Sequence, residues 1–450
     1  MTLPPDERPS PDERPSLDQR LGAARANYVA KRPTSQAMAD EAGRFLPGGH
    51  TRTVLHFDPF PFRVARAEGA TLTDVDGLTV VDLLGNYTAG LAGHSPTPVA
   101  DAVAAAMSSG WALGATHPDE IRFAQLMVER FPSLERVRFT NSGTEANLMA
   151  ISTARHVTQR PAIVVFAGGY HGGVLTYGSY GRAINVPFDT EIATFNDLES
   201  VVEIMQRRSS DIAAVLVEPM LGSGGCIPAE PAFLEGLRQL CNDHASLLIF
   251  DEVMTSRLSP GGAQQRYGVL PDLTTFGKYL AGGMSFGAFG GRADILSIYD
   301  TNRSGDDGPL AGLEPLGHAG TFNNNVLTMA AGVATLEQVV TADAIGSLND
   351  KGEDLRRRLS TSFERAGVPM SVTGLGSLMN IHAVPGPVTT PADLTGADER
   401  YRELFFFDML DAGYYLARRG FIALSIPVTS EQIDGFCDAV EAWCGSIPTD

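Results

Sequence analysis

Residues 137–147 read VRFTNSGTEAN, a β-branched and aromatic run that passes through Ser142 and Gly143 into residues with helical spacing. A strand that turns through glycine straight into a helix is the unit of an α/β fold, and the amides at the helix start can hold a phosphate. Ser142 and Glu145 also have the S-x-x-E spacing of a capping box, so a well-capped helix without a ligand is an equal outcome. Outward from here, between about Pro98 and Tyr299, helical segments alternate with apolar runs at Ala162 to Phe166, Ala213 to Val217 and Leu247 to Phe250. That alternation predicts a mostly parallel sheet covered by helices, with strands buried on both faces.

The two ends of the chain have a different pattern. Leu17 to Phe45 is helical in spacing, and Phe62 to Ala67 and Gly69 to Leu84 predict short strands around the turn Asp74-Val75-Asp76-Gly77. Beyond Asn325 a long helical stretch precedes two strand-like runs, Met370 to His382 and Gly420 to Pro427. The expectation is a large α/β domain over residues 98–325 and a small α+β domain in which residues 17–97 join residues 326–450. A tandem hexapeptide, PDERPS at 5–10 and again at 11–16, is charged and proline-rich, so residues 1–16 are expected to be a disordered tail.

Composition narrows the function. The chain has 450 residues, 43% of them hydrophobic, enough for more than one core. Thirty-four Lys and Arg against 53 Asp and Glu give a net charge of −19, which disfavours nucleic acid and anionic membranes as partners. The four cysteines, Cys226, Cys241, Cys437 and Cys444, are too few and too irregular for a disulfide framework or a zinc cluster. No metal site is expected. With no apolar run long enough to span a bilayer and no signal-like N-terminus, the expected location is the cytoplasm.

Two further segments carry chemistry. Leu247-Leu248-Ile249-Phe250-Asp251 puts a carboxylate just after a buried strand, where open α/β sheets bind ligands or where an Asp caps the next helix. Leu273 to Leu280 contains a lone lysine, Lys278, in apolar company, followed by the glycine-rich Ala281 to Gly291. An amine held partly neutral by such surroundings can attack a carbonyl and form a Schiff base. A phosphate cradle, a lysine of this kind and a carboxylate for a pyridine nitrogen are together what pyridoxal 5'-phosphate requires.

With Tyr170-His171-Gly172, Glu218-Pro219, Asp251-Glu252-Val253-Met254, Gly277-Lys278 and Gly320-Thr321-Phe322, the NSGTEAN run resembles the class III pyridoxal-phosphate aminotransferases of fold type I. The resemblance extends from about Phe45 to Pro427. It is strongest to the β-phenylalanine aminotransferases, through FTNSGTEANLMA, GGYHGGVL, FDEVMTSRL, GKYLAGGMSFGAFGGRAD and GTFNNN, and next to glutamate-1-semialdehyde aminomutase. It implies that Lys278 holds the cofactor and shuttles the substrate proton, and that Asp251 pairs with the pyridinium nitrogen. Ser142, Gly143 and Thr144 would bind the phosphate, with Thr321 reaching in from the neighbouring subunit of a homodimer. Tyr170 would stack on one ring face and Val253 pack on the other.

The same resemblance assigns substrate carboxylates to two arginines, Arg52 for the β-amino acid and Arg419 for the keto-acid partner. Tyr87 is a candidate for the pocket wall, or a structural tyrosine. The glutamate that follows EP-x-x-G in the ornithine and GABA branch is replaced here by Ser223, and the acidic residue before the C-terminal Gly-Phe of the aminomutases is replaced by Arg418 and Arg419. The expected reaction is a ping-pong transfer of the amino group from a β-amino acid, aromatic and β-phenylalanine-like, to 2-oxoglutarate or pyruvate. An aminomutase-like isomerase or a broad ω-amine transaminase is the alternative. A dinucleotide oxidoreductase is disfavoured, because no G-x-G-x-x-G follows a strand.

Overall fold

Seven strands form the main sheet of the computed structural model, which describes residues 15–178, 182–302 and 310–447. Their order is Arg136–Thr140, Gly287–Gly291, Leu273–Gly277, Leu247–Asp251, Ile212–Val217, Ala162–Phe166 and Asp189–Ala193. Gly287–Gly291 runs antiparallel to both neighbours and the other pairings are parallel. Ala162–Phe166 and Ile212–Val217 are buried at every position, as continuous Val, Ile and Leu runs between two helical layers should be.

Two strands of this sheet escape the sequence pattern. Leu273–Gly277 was expected only as an apolar stretch around the lysine, and Gly287–Gly291 only as a glycine-rich one; both are fully buried strands. Glycine is a poor strand former, and here close packing requires it. A Cβ on Gly287 would stand 2.1 Å from the Ser142 carbonyl oxygen, and one on Gly290 2.4 Å from that of Arg136. The run Met370 to His382 is likewise not one strand but a hairpin, Ser371–Leu375 and Leu378–His382, because Gly376 takes a left-handed φ of 52° at the turn.

Residues from the two chain ends build one body. The helix Leu17–Lys31 starts at a reciprocal cap between Ser16 and Gln19 and lies along Glu399–Asp411, with Arg25 paired to Glu403 at 2.6 Å and the Tyr28 ring 5.5 Å from Phe407. Tyr414–Tyr415 adds in parallel to Thr79–Asp82, completing a four-stranded sheet with Val64–Glu68 and Thr71–Asp74. Phe421–Ala423 joins the 371–382 hairpin. The helix Val326–Ala334 packs instead on Thr97–Ser109 through Val99, Ala331 and Ala334. One apolar cluster runs unbroken from Tyr28 through Phe123 and Phe276 to Trp443.

Of the expected PDERPS tail, residues 1–14 lie outside the described residues, and Ser16 is a helix cap. Among the described residues, no helix is long and apolar enough to cross a membrane.

Gly287→Ala should lower stability to urea by about 1–3 kcal/mol, since its methyl meets backbone that cannot step aside. Because the Ser142 carbonyl is what it meets, cofactor affinity measured by absorbance titration should fall in the same variant. Unchanged affinity in a destabilised protein would show that the turn moves independently of this strand.

Candidate active site

Asp251 ends the Leu247–Asp251 strand and lies in register with Thr275 of the parallel neighbour, whose strand continues two residues further to Gly277, immediately before Lys278's helical turn. Both groups therefore stand at the carboxyl edge of the sheet, where the strand ends open a crevice. The Asp251 carboxylate is 4% exposed and takes three donors: Asn147 Nδ2 at 2.8 Å and His171 Nδ1 at 2.8 Å on Oδ2, and the Val253 amide at 3.0 Å on Oδ1. Because the carboxylate accepts, Nδ1 of His171 carries the hydrogen. Asn147 is oriented in turn by the Thr275 hydroxyl, which donates to its Oδ1 at 2.7 Å. A carboxylate offers roughly four acceptor positions, so one remains for a further donor.

Lys278 sits at a left-handed φ of 57°, a conformation that a side-chain-bearing residue adopts at a cost of about 1–3 kcal/mol. Its side chain keeps some access to solvent, while the protein around it pushes the amine down to about 8 from an ordinary 10.5. Desolvation is the main cause. Asp251 and Glu218 pull the other way, and Arg419 adds to the lowering. Glu218, 5% exposed, accepts the Tyr170 amide at 3.0 Å and the Gly222 amide at 2.9 Å. Burial, and to a lesser degree Asp251, push its carboxyl up to about 7, with His171 opposing.

The turn after Arg136–Thr140 is the segment expected to hold a phosphate. Ser142 caps the helix Gly143–Thr158 by accepting the Glu145 amide at 3.2 Å. The expected reciprocal box is only half made, because Glu145 Oε2 bonds the Asn141 amide at 2.8 Å and not that of Ser142. The amides of Gly143 and Thr144, first in the helix, have no carbonyl within it to bond. Val253 packs against this turn and against the strand before Lys278: a Cβ on Gly143 would stand 2.8 Å from its side chain, and one on Gly277 3.3 Å. Tyr170 is 46% exposed, and its phenol senses Arg52, Glu218, Asp251 and Arg419.

The two arginines meet at Tyr87. Residues 85–88 all have positive φ, 52°, 48°, 52° and 79°, a strained run that points Asn86 Oδ1 at Arg52 Nη1, 2.7 Å away, and the Tyr87 hydroxyl at the Val54 carbonyl, 2.9 Å away. The Arg419 guanidinium lies 5.5 Å from the Tyr87 ring centroid and 5.3 Å from that of Phe421, and Nη1 donates to the Ser223 carbonyl at 3.0 Å. Burial raises the Tyr87 phenol, and Arg419 and Arg52 both draw it back. Arg52, Tyr87, Tyr170, Arg419, Asp251 and Lys278 thus share one neighbourhood. Thr321 does not join it within the single chain; it stands on an exposed turn two residues before Asn323, which accepts from Asn141 at 2.8 Å.

Several residues here were not singled out from the sequence alone. Asn147 is a polar residue among the buried Ala146, Ala150, Ile151 and Ala154 of its helix, and that mismatch was the available signal. Glu218, His171, Asn86 and Ser223 act through partners distant in sequence and left none beyond the motifs that contain them.

The donor set fits pyridoxal 5'-phosphate: free helix-start amides for a phosphate, a carboxylate with a lone pair to spare for a protonated ring nitrogen, and an amine of lowered proton affinity for the aldehyde. Because only the neutral amine reacts, cofactor capture by the stripped protein should quicken about tenfold per pH unit up to about 8 and then level off. Stopped-flow absorbance would follow it. A rise continuing past about pH 10 would mean that Lys278 is an ordinary lysine.

Residues 55–442 match the family model of the class-III aminotransferases. A beta-phenylalanine transaminase of Variovorax paradoxus is 47% identical over 425 residues, covering 94% of this chain and 96% of the relative. The crystal structure of a beta-phenylalanine aminotransferase from Variovorax paradoxus superposes with a TM-score of 0.92 at 47% identity, over 96% of this chain and 98% of that one. A transaminase with pyridoxal 5'-phosphate bound superposes with a TM-score of 0.82 at 32% identity, over 92% and 97%. This chain belongs to the class-III aminotransferases, of fold type I, and its cofactor is pyridoxal 5'-phosphate.

Proposed function

We propose that this transaminase takes the amino group from an aromatic β-amino acid of the β-phenylalanine kind and passes it to a keto acid such as 2-oxoglutarate or pyruvate. The observation that carries this is the pair of arginines beside one tyrosine: Arg52 and Arg419 both act on the Tyr87 phenol, and Arg419 also acts on Lys278. A ping-pong enzyme admits two carboxylates in turn, and two guanidiniums at one pocket suit that need. The substrate named for the Variovorax relative supports the same choice, as do Ser223 and Arg418 in the places where the other branches carry acids.

Bound, the cofactor supplies an electron sink for the substrate carbanion and carries the amino group between the half-reactions. In our assignment Ser142, Gly143 and Thr144 hold its phosphate, Asp251 faces its ring nitrogen, and Tyr170 and Val253 flank its ring. Lys278 Nζ would anchor it, then carry the proton from the substrate carbon that bears nitrogen to the cofactor, and in the reverse direction for the keto acid. Arg52 orients the donor's carboxylate so that this carbon faces Nζ, and Arg419 does the same for the keto acid. We also propose a cytoplasmic homodimer in which Thr321 of one subunit completes the other's phosphate site. In this reading residues 17–97 and 326–450 belong to its small domain and 98–325 to the large one, with the helix Val326–Ala334 packed against the helix Thr97–Ser109 that opens the large domain.

Adding β-phenylalanine alone to the yellow holoenzyme should bleach its visible band and release a β-keto acid, and 2-oxoglutarate should restore the band. No bleaching with β-phenylalanine, but bleaching with simple amines, would leave a broad ω-amine transaminase. Lys278→Ala should lose turnover entirely while still retaining cofactor on a desalting column. Arg419→Ala should raise KM for the keto acid by about tenfold or more, with a much smaller change for the donor. Equal losses for both would remove its selective role.

A further inference from the structure

Glu218 stands at the point where two otherwise separate segments meet the pocket. It follows the buried strand Ile212–Val217 and precedes a hairpin held by only two residue pairs, Met220 with Pro228 and Leu221 with Ile227. The tip of that hairpin carries Ser223, whose carbonyl and hydroxyl accept Arg419 Nη1 at 3.0 and 3.3 Å. One Glu218 oxygen accepts the amide of Gly222, the residue before Ser223, at 2.9 Å. The other accepts the amide of Tyr170 at 3.0 Å, in a segment about 50 residues earlier. The fit at the tip is close: a Cβ on Gly222 would stand 3.1 Å from Glu218 Oε2 and 2.3 Å from the Met254 sulfur.

A buried carboxyl group whose two oxygens accept two backbone amides fixes the segments that carry them, and each bond is stronger for being shielded from water. The next residue, His171, is fixed separately by Asp251 and by Asn147, so Glu218 is the group that ties this segment to the hairpin tip through the Tyr170 amide. We propose that Glu218 is a positioning residue that holds Tyr170 and, through Gly222 and Ser223, Arg419 at a set distance from each other. One carboxylate thereby ties the ring-stacking side chain to the keto-acid subsite. This rests on the assignment of Arg419 to the keto-acid carboxylate.

Glu218→Gln keeps the size of the side chain but faces one of the two amides with an NH2 group, so one link is lost and replaced by two opposed donors. The two half-reactions are measured separately, with donor added to the cofactor-loaded enzyme and 2-oxoglutarate added to enzyme carrying the aminated cofactor. The expected result is a rise in KM for 2-oxoglutarate at least about tenfold larger than the rise for the donor, with kcat for that half-reaction less affected. Visible circular dichroism of the bound cofactor should change as Tyr170 shifts, while the melting temperature stays within a few degrees. Glu218→Asp keeps the charge and shortens the reach; it should show the same split at smaller size and serves if the glutamine variant does not fold. Equal rises for both substrates, or an unchanged KM ratio with unchanged dichroism, would overturn the proposal. Arg419→Ala measured alongside separates the two failures: if it leaves the keto-acid KM unchanged the subsite assignment falls, and if it raises that KM while Glu218→Gln shows no split, only the role of Glu218 falls.

Discussion

The structure is organised around one amine held in a desolvating pocket. Desolvation is the main cause that lowers the proton affinity of Lys278, to about 8, with Asp251 and Glu218 opposing it. Such a balance requires two carboxylates to be buried close by, which is costly unless each is met by donors. Asp251 has Asn147, His171 and the Val253 amide; Glu218 has the amides of Tyr170 and Gly222. Those five donors come from a helix, two loops and a hairpin, so the requirement at one nitrogen reaches into most of the large sheet's surroundings.

The backbone records the same demand. Lys278 and residues 85–88 occupy left-handed conformations, and Gly287 and Gly290 are glycines because neighbouring carbonyls lie where a Cβ would go. None of these is favourable locally. They persist because the apolar cluster from Tyr28 to Trp443 and the fully buried strands supply enough burial to offset them.

The apolar runs that make the central strands are legible in sequence because they are buried on both faces and need no partner to be recognised. Asp251 and Lys278 stand out for the same reason, as polar residues at the ends of such runs. Asn147 and His171 do not, since their meaning is a bond to Asp251 across 104 and 80 residues of chain. The glycine-rich strand Gly287–Gly291 is invisible to propensity, because what selects it is the Ser142 carbonyl on another element. Arg52 and Arg419 were named only through a resemblance; a surface arginine and one stacked beside Tyr87 have the same letter.

Charge ties these levels together. A chain with net charge −19 repels carboxylate substrates at long range, so the pocket must offset that locally, and Arg52 and Arg419 are the cations proposed to do so. Among the described residues, Arg419 is bonded to the neutral oxygens of Ser223 and pairs with no carboxylate. The same uncancelled charge lowers the proton affinity of Lys278. On the proposed assignment, a keto-acid carboxylate seated on Arg419 would offset it, and the amine would then hold its proton more firmly. Replacing Ser223 by an acid would cancel the charge permanently, weakening the attraction for the keto acid and removing the link between its arrival and the state of Nζ.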